Sequence, residues 1–384
     1  MLYSWIDPAD PLVWSGIPHN LIASLGRTGV LSDLLDVTPP RRILHLSRNL
    51  RARLGRQRLM PPLAPEIRLT TSLSDAWRRR LPSPAVDGWI ALGYALGSVR
   101  PVRGRVAVFT DVSPHQVSEL TRRAPSSDWL SQMTSRDFQL HIRQLARTHR
   151  AAYACCVASH WAAASLVQDH DVNPERVHVV GLGHDPGESE PGPRDWSVPR
   201  FIFIGRDWHR KNGDAVVRAF LQLRDERPDA ELHIVGRHPR LTGDGITTYG
   251  ELFPHEASQA DVMARLRAQG TCFVMPSLIE PFGIAYLEAA ARGLPSIATS
   301  IGGTPDSVGP GGILVDPSDD HAIFEAMQHM SNPQTAMRYG ASAREHARLF
   351  TWSKVAGRLL RALDLPIPQS DLPDFIRPPE GGSP

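Results

Sequence analysis

The chain has 384 residues, with 42 Lys+Arg against 40 Asp+Glu and 41% hydrophobic residues. That length suits two medium domains, and the composition is that of a globular protein rather than a disordered or fibrous one. No apolar run reaches the ~18 residues of a membrane span, and the start lacks a basic stretch ahead of an apolar core, so neither a spanning helix nor a signal peptide is expected. Of the three cysteines, Cys155 and Cys156 are adjacent and Cys272 stands alone. None has metal-type spacing, and a reducing cytoplasm is the expected location. Charge is uneven: residues 1–150 hold about twenty-one arginines against about eleven acids. The only lysines are Lys211 and Lys354, so a lysine at a given place is informative.

In chain order, Leu2-Tyr3-Ser4-Trp5-Ile6 reads as an opening strand. A loop through Trp14-Ser15-Gly16-Ile17-Pro18 follows, with Gly16 suited to a turn of positive φ. A helix is expected from about Asn20 to Leu25, stopped near Gly26 or Gly29. Strand, glycine loop and helix are the opening of a nucleotide-type fold. Ile43–Leu46 predicts a strand, after which Leu46, Leu50 and Leu54 share one helical face. Arg48, Arg51, Arg53, Arg56 and Arg58 surround that face. Such a helix either lies on an anionic membrane or acidic acceptor, or is solvated with one core face. No recognition motif or stacking aromatic accompanies the arginines, so nucleic acid is not an expected partner.

Trp89–Leu92 and Val106–Phe109 predict two strands. After the second, Ser113 suits an N-cap, Pro114 the first helical position, and Gln116 completes a capping box. His115 therefore falls in a helix's first turn at the C-terminal end of a strand, the edge where open α/β sheets bind ligands. The alternative is a histidine merely exposed at a helix start. A helix over 162–168 and a strand over Val177–Val180 follow. Asp169-His170-Asp171 comes after a helix and before a turn, whereas a metal-binding Asp-x-Asp must end a buried strand, so no metal is expected there. No His-x-x-x-His pair and no serine nucleophile elbow occurs.

Residues 186–198, rich in Pro and Gly, read as a linker. Phe201-Ile202-Phe203-Ile204-Gly205 is a buried strand, followed by a turn from Arg206 to Gly213 and a helix through Ala215, Val216, Ala219, Phe220 and Leu223. Leu232–Gly236 is another strand, with His238 at its ligand-facing end, and Ile313–Val315 is a strand further on. From Pro366 the chain is rich in Pro and Gly.

The stretch from Thr271 to Ala290 carries the most chemistry. Thr271–Met275 is a buried-strand run, and Pro281 restrains Glu280 to an extended shape. From Phe282 the pattern is helical, with Ile284, Leu287 and Ala290 on one face and a stop at Gly293. One glutamate thus lies in a strand-to-helix turn, and Glu288 lies about two turns into the helix. Gly283 allows a ligand close to the backbone, and free N–H groups at a helix start favour an anion. Spacing alone gives a phosphate and polyol site, with a solvated cap at Glu280 as the alternative.

Glu280-Pro281-Phe282-Gly283 through Glu288-Ala289, with seven residues between the glutamates, resembles the signature of retaining glycosyltransferases of family 4. Gly293-Leu294-Pro295-Ser296-Ile297-Ala298 and Gly302-Gly303-Thr304-Pro305-Asp306 are similar to the family's next strand and loop. Phe109-Thr110-Asp111, Ser159-His160-Trp161 and Phe350-Thr351-Trp352 extend the likeness, which covers the C-terminal half and thins over residues 40–105. It implies a GT-B fold of two Rossmann-like parallel-sheet domains facing across a cleft. The implied bounds are 1–185 for the acceptor-side domain, 186–198 for the linker and 199–352 for the nucleotide-sugar domain, with 353–384 crossing back and ending in a mobile tail.

The implied reaction moves a sugar from a UDP- or GDP-sugar with retention, using no metal or other cofactor and no protein nucleophile. The resemblance assigns Arg206 and Lys211, on the turn after Gly205, to the donor diphosphate; Asn212 stands where glycine is common. It places Gly16 near the donor phosphates, His115 toward the transferred sugar, and Thr247–Leu252 around the nucleobase, with Leu252 and His238 as donor contacts. Glu280 would orient sugar hydroxyls, with backbone N–H groups near Phe282, Gly283 and Ile284. Glu288, expected deep in the domain, would take the ribose, and Glu280 would face the cleft. The acceptor is not named; an anionic or lipid-linked one would suit the basic half, as would a peripheral contact on the inner membrane face. A GT-B phosphorylase, a nucleotide-sugar hydrolase or epimerase, and a silent nucleotide-sugar binding protein remain as alternatives.

Overall fold

A computed structural model describes residues 2–4, 13–32, 34–36, 86–93, 104–123, 135–185, 193–253, 256–367 and 375–376. The chain divides into two compact units, Met1–Gly181 with Trp352–Arg377, and Leu182–Thr351. Trp5 and Ile6, the arginine-ringed segment over 43–58 and residues 186–192 lie outside the described residues.

The first unit holds β1 (Leu2–Ser4), α1 (Ile17–Arg27), β2 (Leu34–Asp36), β3 (Gly88–Leu92) and β4 (Arg105–Thr110). It continues with α2 (Pro114–Arg123), α3 (Ser135–Ala151), β5 (Ala154–Val157), α4 (His160–Gln168) and β6 (Val177–Val179). The described strands make one sheet in the order β2-β1-β3-β4-β5-β6, and every pair is parallel. Strands covered on both faces read as unbroken apolar runs, as Trp89–Leu92 and Val106–Phe109 do, and both runs are buried. The first helix starts at Ile17, earlier than the expected Asn20. Trp14, Ser15 and Gly16 all hold positive φ and complete the reversal by Gly16. Pro18 then falls at the helix start, where its missing N–H costs nothing.

The second unit holds β7 (Arg200–Ile204), α5 (Gly213–Glu226), β8 (Glu231–Val235), β9 (Ile246–Thr248), α6 (Ala257–Gln269) and β10 (Cys272–Met275). After these come α7 (Ile284–Ala291), β11 (Ser296–Thr299), α8 (Thr304–Val308), β12 (Gly312–Val315), α9 (Asp320–Met330) and α10 (Pro333–Ala347). Its strands run β12-β11-β10-β7-β8-β9, again all parallel. Counted from the unit's first strand, this is the doubly wound dinucleotide-fold order, with winding reversed between β7 and β10. The core gathers Phe201, Phe203, Phe220, Phe273 and Tyr286. Arg194 donates to the carbonyls of Arg267, Ala268, Arg292 and Gly293, and so satisfies the C-terminal ends of α6 and α7 together.

The last helix, α11 (Trp352–Ala362), belongs to the first unit and packs against α1. Its buried Arg358 donates to the Val180 carbonyl at 3.1 Å. Among the described residues no helix is long and apolar enough to cross a membrane.

Candidate active site

The two loops that matter leave β7 and β10, the neighbouring strands where the winding of the second sheet reverses. Ligands bind at such a point because adjacent loops part there and leave a crevice beyond the strand ends. The loops are stitched together, with the Leu278 N–H donating to the Arg210 carbonyl at 2.8 Å. After β7 the chain passes Gly205, where an added Cβ would stand 2.9 Å from Lys211 Cγ. The lysine stem thus lies over the bare glycine. Asn212 takes the left-handed conformation that a glycine would take at this turn, with φ 62°. Its side-chain amide is anchored on the Pro317 carbonyl at 2.7 Å.

After β10, Glu280 is fixed from its own backbone. The Gly303 N–H donates to the Glu280 carbonyl at 2.9 Å, and Gly302 bridges Glu280. Gly302 has φ 105°, and a Cβ there would sit 2.1 Å from the Glu280 carbonyl oxygen, so only glycine fits. The helix beyond begins at Ile284, later than the expected Phe282, because Gly283 takes a left-handed φ of 85° and starts it.

The Glu280 carboxylate accepts at Oε2 from Lys211 Nζ, from Arg210 Nη1 at 3.2 Å and from the Ser277 hydroxyl at 3.3 Å. Its side chain is 8% exposed and that of Lys211 is 12% exposed. Burial works to raise the Glu280 pKa, but the Lys211 and Arg210 cations outweigh it and hold the carboxyl below its usual range. Burial, reinforced by Arg210, lowers the Lys211 pKa to about 8 against the pull of Glu280. At neutral pH the pair is ionised, and the lysine charge sits close to its limit.

The other predicted positions in this unit have different partners. Arg206 is not on it: the side chain is 55% exposed, 3.5 Å from Glu251 and over the Phe253 ring. Arg210, next to Lys211 in the same turn, supplies the second cation on Glu280, and no pattern in the sequence separated it from its neighbours. His238, at the exit of β8, lies edge-on to Trp208 of the β7 turn. Leu252 is half-buried against the core. Phe282 is buried, and its carbonyl accepts from Ser307. Glu288 pairs with Arg267 at 2.6 Å and is 41% exposed. The expected depths are therefore reversed. The glycine loop covers Glu280, while the helix turns Glu288 outward to α6.

In the first unit, the loop after β1 and the end of β4 come together. Trp14 Nε1 donates to Asp111 at 3.1 Å, next to Gly16 with φ 74°. The capping box forms as expected, with Ser113 N–H to Gln116 Oε1 at 2.9 Å and Gln116 N–H to Ser113 Oγ at 3.1 Å. His115 is exposed on the first turn of α2. The three cysteines are buried and free.

Solved glycosyltransferases share this two-unit architecture. A sucrose-phosphate synthase from Thermosynechococcus elongatus matches with TM-score 0.58 and 21% identity, covering 77% of each chain. A glycosyltransferase from Rickettsia africae matches with TM-score 0.57 and 14% identity over 94% of this chain and 97% of that one. These likenesses show the fold to be the GT-B class. Residues 198–332, within the second unit, match the family model of the glycosyl transferases group 1. Among sequence relatives, a D-inositol 3-phosphate glycosyltransferase of Corynebacterium glutamicum is 29% identical over 50% of this chain and 53% of its own length. The namesake from a Nocardioides species is 32% identical over 52% of this chain and 50% of that one. The chain thus aligns with about half the length of these relatives.

Proposed function

We propose that the chain is a retaining glycosyltransferase that moves a sugar from a nucleoside-diphosphate sugar to a phosphorylated polyol or sugar. The observation that carries the donor half is the buried Lys211–Glu280–Arg210 cluster at the reversal point of the second sheet, beside the start of α7. When the anomeric bond breaks, negative charge grows on the diphosphate. Lys211, Arg206 and the free N–H groups of that helix start stabilise it there, and preorganised charge of this kind is a large catalytic term. Glu280 holds Lys211 in place and offers its carboxylate to sugar hydroxyls. Glu288, outside the cluster, takes the ribose. Gly16 and His115 serve the sugar and acceptor side. No step calls for a metal or a protein nucleophile.

The acceptor half rests on two supports. The first 150 residues carry a large arginine excess, and arginine forks suit phosphate. Relatives are named for D-inositol 3-phosphate and for sucrose phosphate. The test is a product assay with UDP-, GDP- and ADP-sugars, run without acceptor, with inositol 3-phosphate or sugar phosphates, and with their unphosphorylated counterparts, in chelator throughout. Transfer that needs the phosphorylated acceptor and keeps the donor's anomeric configuration is expected. Free sugar released at equal rate with or without acceptor would make the chain a hydrolase. Loss of turnover in chelator would remove the metal-free reading.

A further inference from the structure

Asp169-His170-Asp171 enters no step above, yet it is built into the first unit against the turn that carries His115. It follows α4 and lies against the start of α2. His170 is buried, at 5% exposure, and its Nε2 accepts the backbone N–H of His115 at 3.0 Å. A ring nitrogen that accepts carries no proton, so the neutral imidazole holds its proton on Nδ1. Next to it, Asp169 Oδ2 accepts from the Ser165 hydroxyl at 2.5 Å, which leaves the Ser113 hydroxyl to donate to Ser165 at 2.6 Å. The loop thus grips the start of α2 twice, at the Ser113 cap and at His115.

A helix start leaves its first N–H groups without partners inside the helix. Here Pro114 has none to satisfy, Gln116 donates to Ser113 Oγ and Val117 to the Ser113 carbonyl. The His115 N–H is met by an imidazole brought from a different element. That bond fixes the residue whose side chain is exposed at the sheet's ligand edge.

We infer that His170 is a positioning residue: by accepting the His115 N–H it sets the first turn of α2 and the direction in which His115 is presented to the transferred sugar. The inference rests on the sugar-side role given to His115 above. It has a pH signature, because imidazolium has no acceptor and the contact exists only while His170 is neutral. The groups around His170 are Asp169 and Asp171 on its own loop, His115 on α2, and His149 and Arg150 on α3. Arg150 donates to the His170 carbonyl at 2.9 Å. Burial is the largest influence and lowers the His170 pKa below its usual value, with Asp169 and Asp171 opposing and His115 and Arg150 reinforcing. His149, buried and lowered to about 4 by that burial, is neutral throughout the relevant range. The grip is complete at neutral pH and fails in acid.

Two substitutions separate acceptor from titration. His170→Gln keeps an acceptor oxygen that does not titrate, and His170→Phe keeps a ring and removes the acceptor. Hydrogen exchange at the His115 amide reads the bond without any substrate. In the native chain its protection factor should be high at pH 7 and fall in mild acid, once the slowing of the intrinsic rate is divided out. His170→Gln should stay slow across that range, and His170→Phe should exchange fast throughout. In the transfer assay, with whichever nucleotide sugar turns over, His170→Phe should lower kcat by roughly 10–100-fold, the scale of a misplaced contact, with KM little changed. His170→Gln should restore kcat and flatten the acid limb. Unchanged kcat in His115→Ala would remove the sugar-side reading, and the positioning role with it. A loss in His115→Ala with normal kcat and normal His115 exchange in His170→Phe would overturn the positioning role alone. If His170→Phe does not fold, a His115 exchange rate in the native chain that ignores His170 titration overturns it.

Discussion

Lys211 is the most informative single residue, because its chemistry can be read in a pH profile. Lys211→Ala should lower kcat on the order of 10²-fold in a folded protein, the loss typical of one preorganised charge contact. The useful form is the ammonium, present below its pKa of about 8 and lost as pH rises through it. The alkaline limb of kcat/KM should therefore fall near pH 8. With the donor bound, the diphosphate favours the charged form, so the limb of kcat should lie higher. Lys211→Arg should abolish both limbs, since guanidinium does not titrate there. A limb that stays put in that variant would mean another group titrates. The division of work proposed for the two glutamates can be tested in the same way. Glu288→Ala should weaken bare nucleoside-diphosphate binding by about 1–3 kcal/mol, the scale of a charged hydrogen bond lost. Glu280→Ala would leave the buried Lys211 and Arg210 without their acceptor, whereas Glu280→Gln keeps an amide oxygen for them, so Glu280→Gln is the cleaner change. It should spare nucleotide binding in calorimetry while impairing transfer, and equal losses in the two variants would refute separate roles.

At the scale of elements, the site is a matter of three backbone conformations. Gly302 closes over Glu280, Gly283 starts α7, and Asn212 starts α5, all with positive φ. Gly302→Ala should cost about 1–3 kcal/mol from φ strain alone, before the clash with the Glu280 carbonyl is counted. It should lower the urea midpoint and also release Lys211, which would move the alkaline limb. A variant with unchanged stability and profile would show that the loop has another way to hold the glutamate. The asparagine at 212 shows why a departure from a family pattern need not mean a lost turn conformation. Asparagine tolerates the left-handed region, and here its side chain also ties the turn to Pro317.

For the whole molecule, the buried ion pair links stability to pH. The Glu280 pKa is lowered on folding, so its contribution is present above the ordinary carboxylate range and is lost as pH falls through the folded value. Lys211 contributes with the opposite sign but the same pH slope: its lowered pKa makes folding less favourable while the unfolded lysine is still protonated, so stability rises from about pH 8 until the unfolded lysine also loses its proton. Thermal melting followed from neutral pH down through and below the ordinary carboxylate range should therefore fall more steeply, at the acid end, in the native chain than in Glu280→Gln. Identical slopes would mean that the pair contributes nothing to acid sensitivity.

The sequence by itself determined the strands that became the sheets and the turn chemistry at their ends. Phe201–Ile204, Cys272–Met275 and Val106–Phe109 are unbroken apolar runs because both faces of each strand are covered, and the Ser113–Gln116 cap is a four-residue pattern with its own chemistry. It also marked Lys211 and Glu280, through a rare lysine and a glutamate fixed before proline. What only the tertiary structure decided is who partners whom. Arg210 rather than Arg206 reaches Glu280, Glu288 rather than Glu280 is the exposed carboxylate, and His170 caps a helix fifty-five residues away. Those outcomes depend on the β7–β10 adjacency and on loops packed across it, which join segments about seventy residues apart. Local pattern carries periodicity and caps; it does not record which of several similar charges lies nearest once distant strands become neighbours.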